Sequence, residues 1–258
     1  MLLALDIGNT NTVLGLFDED RIVQDWRIRT EANATVDEFG ILIRSLFAVG
    51  ELPLECVENV IISCVVPPVL YPVERFCGKY FNLVPLIVGP GIKTGMPIFY
   101  DNPKEVGADR IVNAVAAYEA YKKAVIVVDF GTATTFDFIS ERGEYLGGVI
   151  SPGIMISCEA LFQKASKLPR VEIFAQPRSI LAKNTIASMN AGIVYGYAGL
   201  VEGIITRMKR EMGMDMKVVA TGGLAPLIAS ECPAIEEVDD YLTLKGLRII
   251  FERNRKSS

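Results

Sequence analysis

Apolar residues in this chain come in short runs separated by polar or glycine-rich punctuation. Residues 2–18 read LLALDIGNTNTVLGLFD and residues 124–139 read AVIVVDFGTATTFDFI. Each is an apolar run closed by an aspartate, a short polar stretch, then a second apolar run, which is the pattern of a β-hairpin. Thr35-Val-Asp-Glu38 has capping-box spacing and predicts a helix with an apolar face of Phe39, Leu42, Ile43, Leu46 and Phe47. Residues 58–66 read as a buried strand bounded by Pro67-Pro68, 70–81 as a helix, and Leu86-Ile-Val88 as a short strand. Further on come a helix from Ile111 to Tyr121, a long helix over 186–212 stopped by Gly213, a strand over 217–221, and a helix over 242–254. The tail from Arg253 to Ser258 is expected to fray.

The two hairpins share one pattern, D-x-G-x-x-x-T, carried by Asp6, Gly8 and Thr12 and again by Asp129, Gly131 and Thr135. Their placement nearly bisects the chain. Gly8 and Gly131 permit a positive φ or a close backbone approach in a tight turn. Around them Asn9, Thr10, Asn11, Thr132 and Thr134 offer hydroxyls, amides and uncovered N–H groups. One such turn is an ordinary turn. Two copies, one per half, predict facing hairpins that grip phosphate. The layout is α/β in two halves, residues 1–118 and 119–258, and it resembles duplicated ribonuclease-H-like domains, a resemblance that implies a nucleotide cleft between them.

Composition narrows the chemistry. The 258 residues contain no histidine, which removes Ser/His and Cys/His pairs and imidazole zinc sites. A general base must then be Asp, Glu, Lys, Tyr or Cys. Five cysteines without CxxC spacing give no support to a zinc site, an iron–sulfur cluster or a disulfide framework. The net charge of -5 predicts no attraction to nucleic acid or to an acidic membrane surface. No run reaches the roughly 18 apolar residues of a membrane span, and the start is too short for a signal segment. The expected location is the cytoplasm.

Several motifs remain. Gly89-Pro-Gly-Ile-Lys-Thr-Gly95 fits no phosphate-loop pattern and reads as a connecting loop. Tyr100-Asp-Asn-Pro-Lys-Glu-Val-Gly107-Ala108-Asp109-Arg110 leads into a helix. Asp109 there is either a first-turn residue favoured by the helix dipole or a general base, with Arg110 a guanidinium fork for a substrate carboxylate. Gly147-Gly148-Val-Ile-Ser-Pro-Gly153 reads as a turn at a strand end, and Thr221-Gly222-Gly223 as a strand-to-helix turn able to approach a nucleoside. Gly192, Gly196, Gly199 and Gly203 stripe the long helix, each costing roughly 1 kcal/mol against Ala. The stripe predicts close packing, on an internal helix or across a dimer seam.

Taken in order, DIGNTNTVLGL, YDNPKEVGADRI, DFGTATTFD, GGVISPG, NTIASMNAG and TGG resemble the type III pantothenate kinases. These belong to the superfamily of acetate and sugar kinases, heat-shock chaperones and actin. The resemblance implies ATP-dependent phosphorylation of the pantothenate 4′-hydroxyl, the first step toward coenzyme A. It also implies a homodimer that uses Mg²⁺ and a monovalent cation, K⁺ or NH4⁺. By position, Asp6, Ile7, Gly8, Asn9, Thr10, Asn11, Thr12 and Val13 would bind the ATP phosphates, with Asp6 near Mg²⁺. Thr132, Gly222 and Gly223 would touch ATP. Gly107, Ala108, Asp109 and Arg110 would bind pantothenate, Asp109 as proton acceptor and Arg110 on the carboxylate. Tyr100 and Thr185 would line the same pocket, although Asn184 is an equally polar neighbour of Thr185. Asp129 would ligate the monovalent cation. Two other readings share the scaffold: an activator ATPase, against which the cysteine pattern argues, and an accessory protein without kinase activity, against which Asp6, Asp109, Arg110 and Asp129 argue.

Overall fold

The computed structural model describes residues 1–171 and 175–255. Among them the chain forms two compact units, the first made of Met1–Met96, Asp101–Ala116 and the segment from Leu242 onward, the second of Pro97–Tyr100 and Ala117–Tyr241. A single cut after residue 118 leaves the terminal segment in the second half; the structure packs it into the first.

The first unit is built on β1 (Leu2–Ile7), β2 (Asn11–Asp18), β3 (Arg21–Arg29), β4 (Asn59–Cys64) and β5 (Leu86–Ile87), in the sheet order β3-β2-β1-β4-β5. Its hairpins are antiparallel, while β4 runs parallel to β1 and β5 parallel to β4. Against the sheet lie α1 (Val36–Val49) and α2 (Pro67–Phe76). Their buried faces join Leu3, Leu5, Leu14, Leu16 and Ile62 in one core, in which Phe76 meets Phe39 and Phe81 edge-on. The capping box forms as read: Glu38 N donates to Thr35 Oγ1 at 3.3 Å and Thr35 N donates to the Glu38 carboxylate at 2.8 Å. Leu42, expected on the apolar face, is 40% exposed.

The Pro67-Pro68 pair opens α2 instead of merely ending the strand, because proline suits the first helical turn. After Phe76 the backbone loosens into a π-helical turn over Cys77–Phe81, closed by Asn82 at φ 56°. The Gly89–Gly95 segment is a connecting loop held by the last helix, with Asn254 bonding both Lys93 N and Lys93 O at 3.1 Å.

The second unit repeats the plan. Its strands are β6 (Val125–Phe130), β7 (Ala133–Ile139), β8 (Tyr145–Pro152), β9 (Lys217–Thr221) and β10 (Glu237–Val238), in the order β8-β7-β6-β9-β10. Antiparallel hairpins again stand on one side of the first strand and parallel strands on the other. The core gathers Ile126, Val128, Phe136, Val218 and Ala220 beneath α4 (Ile154–Lys164), α5 (Thr185–Met212) and α6 (Ala225–Ala229). The glycine-rich stretch read as a turn, 147–152, is the body of β8. Within the strand Gly147 takes φ 114°, where a side chain would be strained.

The helix that carries Asp109, α3 (Ala108–Tyr121), and the last helix, α7 (Leu242–Arg255), complete the molecule. α7 runs to Arg255, past the expected onset of fraying, and the rest of the tail lies outside the described residues. Its apolar face explains why it belongs with the first unit. Leu242, Leu244, Leu247 and Ile250 are buried, and Leu244 lies 2.7 Å from where a Cβ on Gly15 would stand. A Cβ on Gly246 would fall 2.2 Å from Val112 O of α3. That contact is backbone, so it has no flexible side chain to yield. Gly246→Ala is therefore expected to lose about 1–3 kcal/mol of stability by overpacking, read as a lower denaturant midpoint. An unchanged midpoint would show that α7 is not seated this closely.

Candidate active site

In the first unit the sequence-predicted residues lie at one end of β1. The turn Gly8-Asn9-Thr10 closes the β1–β2 hairpin, with Gly8 N donating to Asn11 O at 3.0 Å. A Cβ on Gly8 would come 3.1 Å from Asn11 O, so glycine serves here by close approach rather than by positive φ. Asn9, Thr10 and Asn11 are exposed, Ile7 is fully buried, Val13 is half-buried and Thr12 is 2% exposed. Thr30 braces the turn from β3's end: its hydroxyl donates to Gly8 O at 2.7 Å and lies 2.9 Å from Thr12 Oγ1. A groove of about 330 Å³ opens beyond Thr12, lined by Ile28, Arg29, Phe39, Val69 and Val73. Of the predicted site residues, only Thr12 lines it.

Asp6 pairs in register with Val13 on one side and with Ser63 of β4 on the other. Burial raises its carboxyl to about 7, the negative charge of Asp109 adds to the rise, and Ser63 and Arg27 oppose it. Asp109 stands in the first turn of α3, so the dipole-favoured position and the proposed base are one and the same. Burial raises its carboxyl too, while the Arg110 N–H, which donates to Asp109 Oδ1 at 2.8 Å, and the Arg110 charge hold it down. Arg110 is only 7% exposed. Gly107 makes room for this turn: a Cβ there would fall 2.4 Å from Asp109 Oδ1. Ala108, the first helical residue, is half-buried between them.

A buried carboxylate raised further by the charge of a second one suits a hard cation with oxygen ligands. Among the described residues no group of three His, Cys, Asp or Glu side chains forms a metal cage. The fit is thus to a divalent cation that keeps waters and takes phosphate oxygens, the ordinary habit of such an ion with one or two carboxylates.

In the second unit Asp129 repeats the position of Asp6, in register with Thr135 on one side and Thr221 on the other. The loops differ. Thr12 pairs with Ile7, whereas Thr135 pairs with Asp129 itself, because the second turn has only Gly131 and Thr132. The ladder counterpart of Thr12 is therefore Thr134, which pairs with Phe130 and is fully buried. Spacing in the sequence matched the wrong threonine.

Gly222 has φ 96°, and a Cβ there would fall 2.7 Å from Phe130 O and 2.9 Å from Asp129 Oδ1. Gly223 continues the same turn beside it. Carboxylate and carbonyl oxygens packed against bare glycine backbone suit a weakly hydrated monovalent cation. Gly153, just past β8, presses on the hairpin so closely that a Cβ would fall 2.1 Å from Thr132 O. Tyr197 of α5 fixes that junction by donating to Pro152 O at 2.9 Å. Sequence reasoning placed Gly153 only near a loop; the clash distance shows its purpose.

Asn184 caps α5, its Oδ1 accepting from Ala187 N at 2.9 Å. That commits its side-chain oxygen to the helix end. Thr185 is exposed. Tyr100 is half-buried with its ring 6.4 Å from that of Tyr145. No hydrogen bond ties Tyr100 or Thr185 to the Asp129 hairpin among the described residues.

Gly192, Gly196 and Gly199 are exposed, and a Cβ on any of them would meet nothing within 4 Å. Gly203 has only the Arg207 guanidinium at 3.0 Å. The internal-helix reading of the stripe therefore fails at its first three positions.

Two sheets of one strand order, each with an aspartate at the end of its first strand beside a polar turn, define the class: an actin-like ATPase fold. Solved structures agree at the level of fold. A protein described as a Baf family transcriptional activator from Campylobacter jejuni superposes with a TM-score of 0.60 at 18% identity, covering 98% of this chain and 99% of that one. Component A of the (R)-2-hydroxyglutaryl-CoA dehydratase of Acidaminococcus fermentans gives 0.56 at 12%, covering 100% and 99%. Sequence goes further. The family model for type III pantothenate kinase matches residues 2–207. The type III pantothenate kinase of Syntrophobacter fumaroxidans is 79% identical over 257 residues, 100% of both chains. That of Syntrophus aciditrophicus is 63% identical over 254 residues, 98% of this chain and 100% of the relative. The chain belongs to the type III pantothenate kinase family.

Proposed function

We infer that the protein phosphorylates pantothenate on its 4′-hydroxyl with ATP, opening coenzyme A biosynthesis. Family membership over the whole chain supports this, and one structural observation carries the chemistry. In a chain without histidine, Asp109 is a half-buried carboxylate with its pKa raised, beside a buried guanidinium. Asp109 takes the proton of the pantothenate hydroxyl as it attacks the γ-phosphorus, and Arg110 holds the pantothenate carboxylate. Gly107 and Ala108 complete that turn, with Tyr100 and Thr185 lining the pantothenate pocket. The 6–13 hairpin supplies N–H groups and hydroxyls to the ATP phosphates, and Thr132, Gly222 and Gly223 contact the nucleotide. Mg²⁺ at Asp6 and K⁺ or NH4⁺ at Asp129 would supply the charge neutralisation that phosphoryl transfer requires.

The raised carboxyls also favour the kinase over an accessory role. A scaffold without chemistry gains nothing by placing Asp109 where its charge destabilises the ionised form of Asp6. The working location is the cytoplasm, and among the described residues no helix is long and apolar enough to cross a membrane.

The protein works as a homodimer with the α5 glycine stripe at its seam. Three glycines facing open space in their own chain give up helix propensity without an internal return. Beside them in the same unit, Met155, Ile156, Leu161 and Phe162 of α4 are exposed apolar residues, as an interface needs.

Three measurements test these readings. Asp109→Asn should keep the fold and ATP binding yet lower pantothenate-dependent ADP release by about 10²–10⁴ in kcat; near-normal turnover would sink the base assignment. Asp129→Ala should abolish stimulation by K⁺ and weaken ATP binding. A variant still fully responsive to K⁺ would place the ion elsewhere. Gly196→Leu fits the monomer, since nothing lies within 4 Å, but should weaken the dimer by about 1–3 kcal/mol through overpacking at the seam. Sedimentation would show dissociation at micromolar concentration. An unchanged dimer would move the seam away from α5, and a monomeric wild type would remove it.

A further inference from the structure

The second unit buries a carboxylate that phosphoryl transfer does not use. Asp137 of β7 is 0% exposed and stands in register between Val127 of β6 and Gly148 of β8. Its Oδ1 accepts the Tyr145 hydroxyl at 2.6 Å, and its Oδ2 accepts the Thr135 hydroxyl at 3.3 Å. Tyr145 is itself 0% exposed. Burying a carboxylate in a sheet is costly even when it is well bonded, and an apolar pair of similar volume often does as well for stability. The Asp–Tyr pair therefore calls for a reason beyond filling the core.

The reason lies on the other side of Tyr145. Its backbone clamps the Pro97–Tyr100 segment: Tyr145 N donates to Pro97 O at 2.9 Å and Phe99 N donates to Tyr145 O at 2.8 Å. The segment thus lies along the outer edge of β8 as a one-residue parallel bridge at Ile98. Beyond the clamp stands Tyr100, its ring tilted 53° to that of Tyr145. It passes over Gly147, where a Cβ would come 3.9 Å from the Tyr100 ring. Little else holds the segment, since Phe99 is 59% exposed and Tyr100 only half-buried. β8 shifts register against β7 at Phe138/Ile139, next to Tyr145. At that irregular point the Tyr145 hydroxyl is anchored to Asp137.

We propose that Asp137 and Tyr145 are positioning residues for pantothenate. The hydrogen bond between them fixes the Tyr145 ring and its backbone clamp, and these fix Tyr100 in the pantothenate pocket. This rests on Tyr100 lining that pocket. Neither side chain touches substrate; both act through the placement of Tyr100.

Tyr145→Phe keeps the ring and deletes only the anchoring hydroxyl. It should raise KM for pantothenate about tenfold, the scale of a small misplacement of a binding group, while KM for ATP stays unchanged. Asp137→Asn still offers an oxygen to the hydroxyl and should keep KM near the wild-type value, whereas Asp137→Ala should match Tyr145→Phe. If Asp137→Ala does not fold, the comparison of Tyr145→Phe with Asp137→Asn decides. Tyr100→Ala is measured alongside. If it raises KM for pantothenate and Tyr145→Phe does not, the positioning role is overturned and the Tyr100 assignment stands. If Tyr100→Ala leaves KM unchanged, both fall. Equal changes in kcat and in both KM values for Tyr145→Phe would mean a general structural role and would overturn the proposal.

Discussion

The structure turns on how an aspartate is held at the end of a central strand. Asp6 has an antiparallel neighbour, Val13, and a parallel one, Ser63; Asp129 has Thr135 and Thr221 in the same two places. A strand paired on both sides cannot shift its register without turning every core residue outward, so the carboxylate has no freedom to retreat. The polar turn beyond it follows from the antiparallel partner. The route into the helical layers follows from the parallel one, because parallel pairing needs a long crossover. Each unit is one solution to the same constraint.

That constraint explains what the sequence made legible. Apolar runs ending in Asp, then Gly and small polar residues, specify strand, turn and strand by local chemistry alone, and both hairpins fall where read. The capping box at Thr35 and the αL stop at Gly213 are equally local and equally plain. Features that depend on a partner strand or helix were not. β3, RIVQDWRIR, is half-exposed along most of its length and lacks clean alternation. β8 hides as a glycine-rich turn because an edge strand does not need a buried run.

The site divides in the same way. Asp6, Asp109 and Asp129 stand out because carboxylates beside glycine are visible in one dimension. Gly153 and Asp137 are not, since one is defined by a carbonyl it nearly touches and the other by a tyrosine eight residues on. Thr134 was passed over for Thr135 because a turn shorter by one residue changes the pairing without changing the motif. The last helix was assigned to the wrong half for a related reason. Its order in the chain says nothing about the faces of β2 and α3 that receive it, where Gly15 and the helix's own Gly246 allow the close approach.

The electrostatics of the first unit show why so acidic a chain can bind a polyanion. With a net charge of -5 the molecule as a whole repels ATP. Asp6, raised to about 7 by burial and by Asp109, worsens the local field when no cation is near. A divalent cation reverses both terms at once, because the charges that raise the carboxyl in its absence stabilise the ion when it arrives. Desolvation, which penalises a lone carboxylate, strengthens its attraction to the metal. A nucleotide that carries a divalent cation on its phosphates meets this acidic surface with less repulsion than free ATP does. Arg110 escapes this exchange. It is buried at the start of α3 against Asp109, so its fixed positive charge stays in place whatever cation the carboxylates meet. One turn of helix thereby sets a fixed positive charge beside carboxylates whose charge depends on their surroundings.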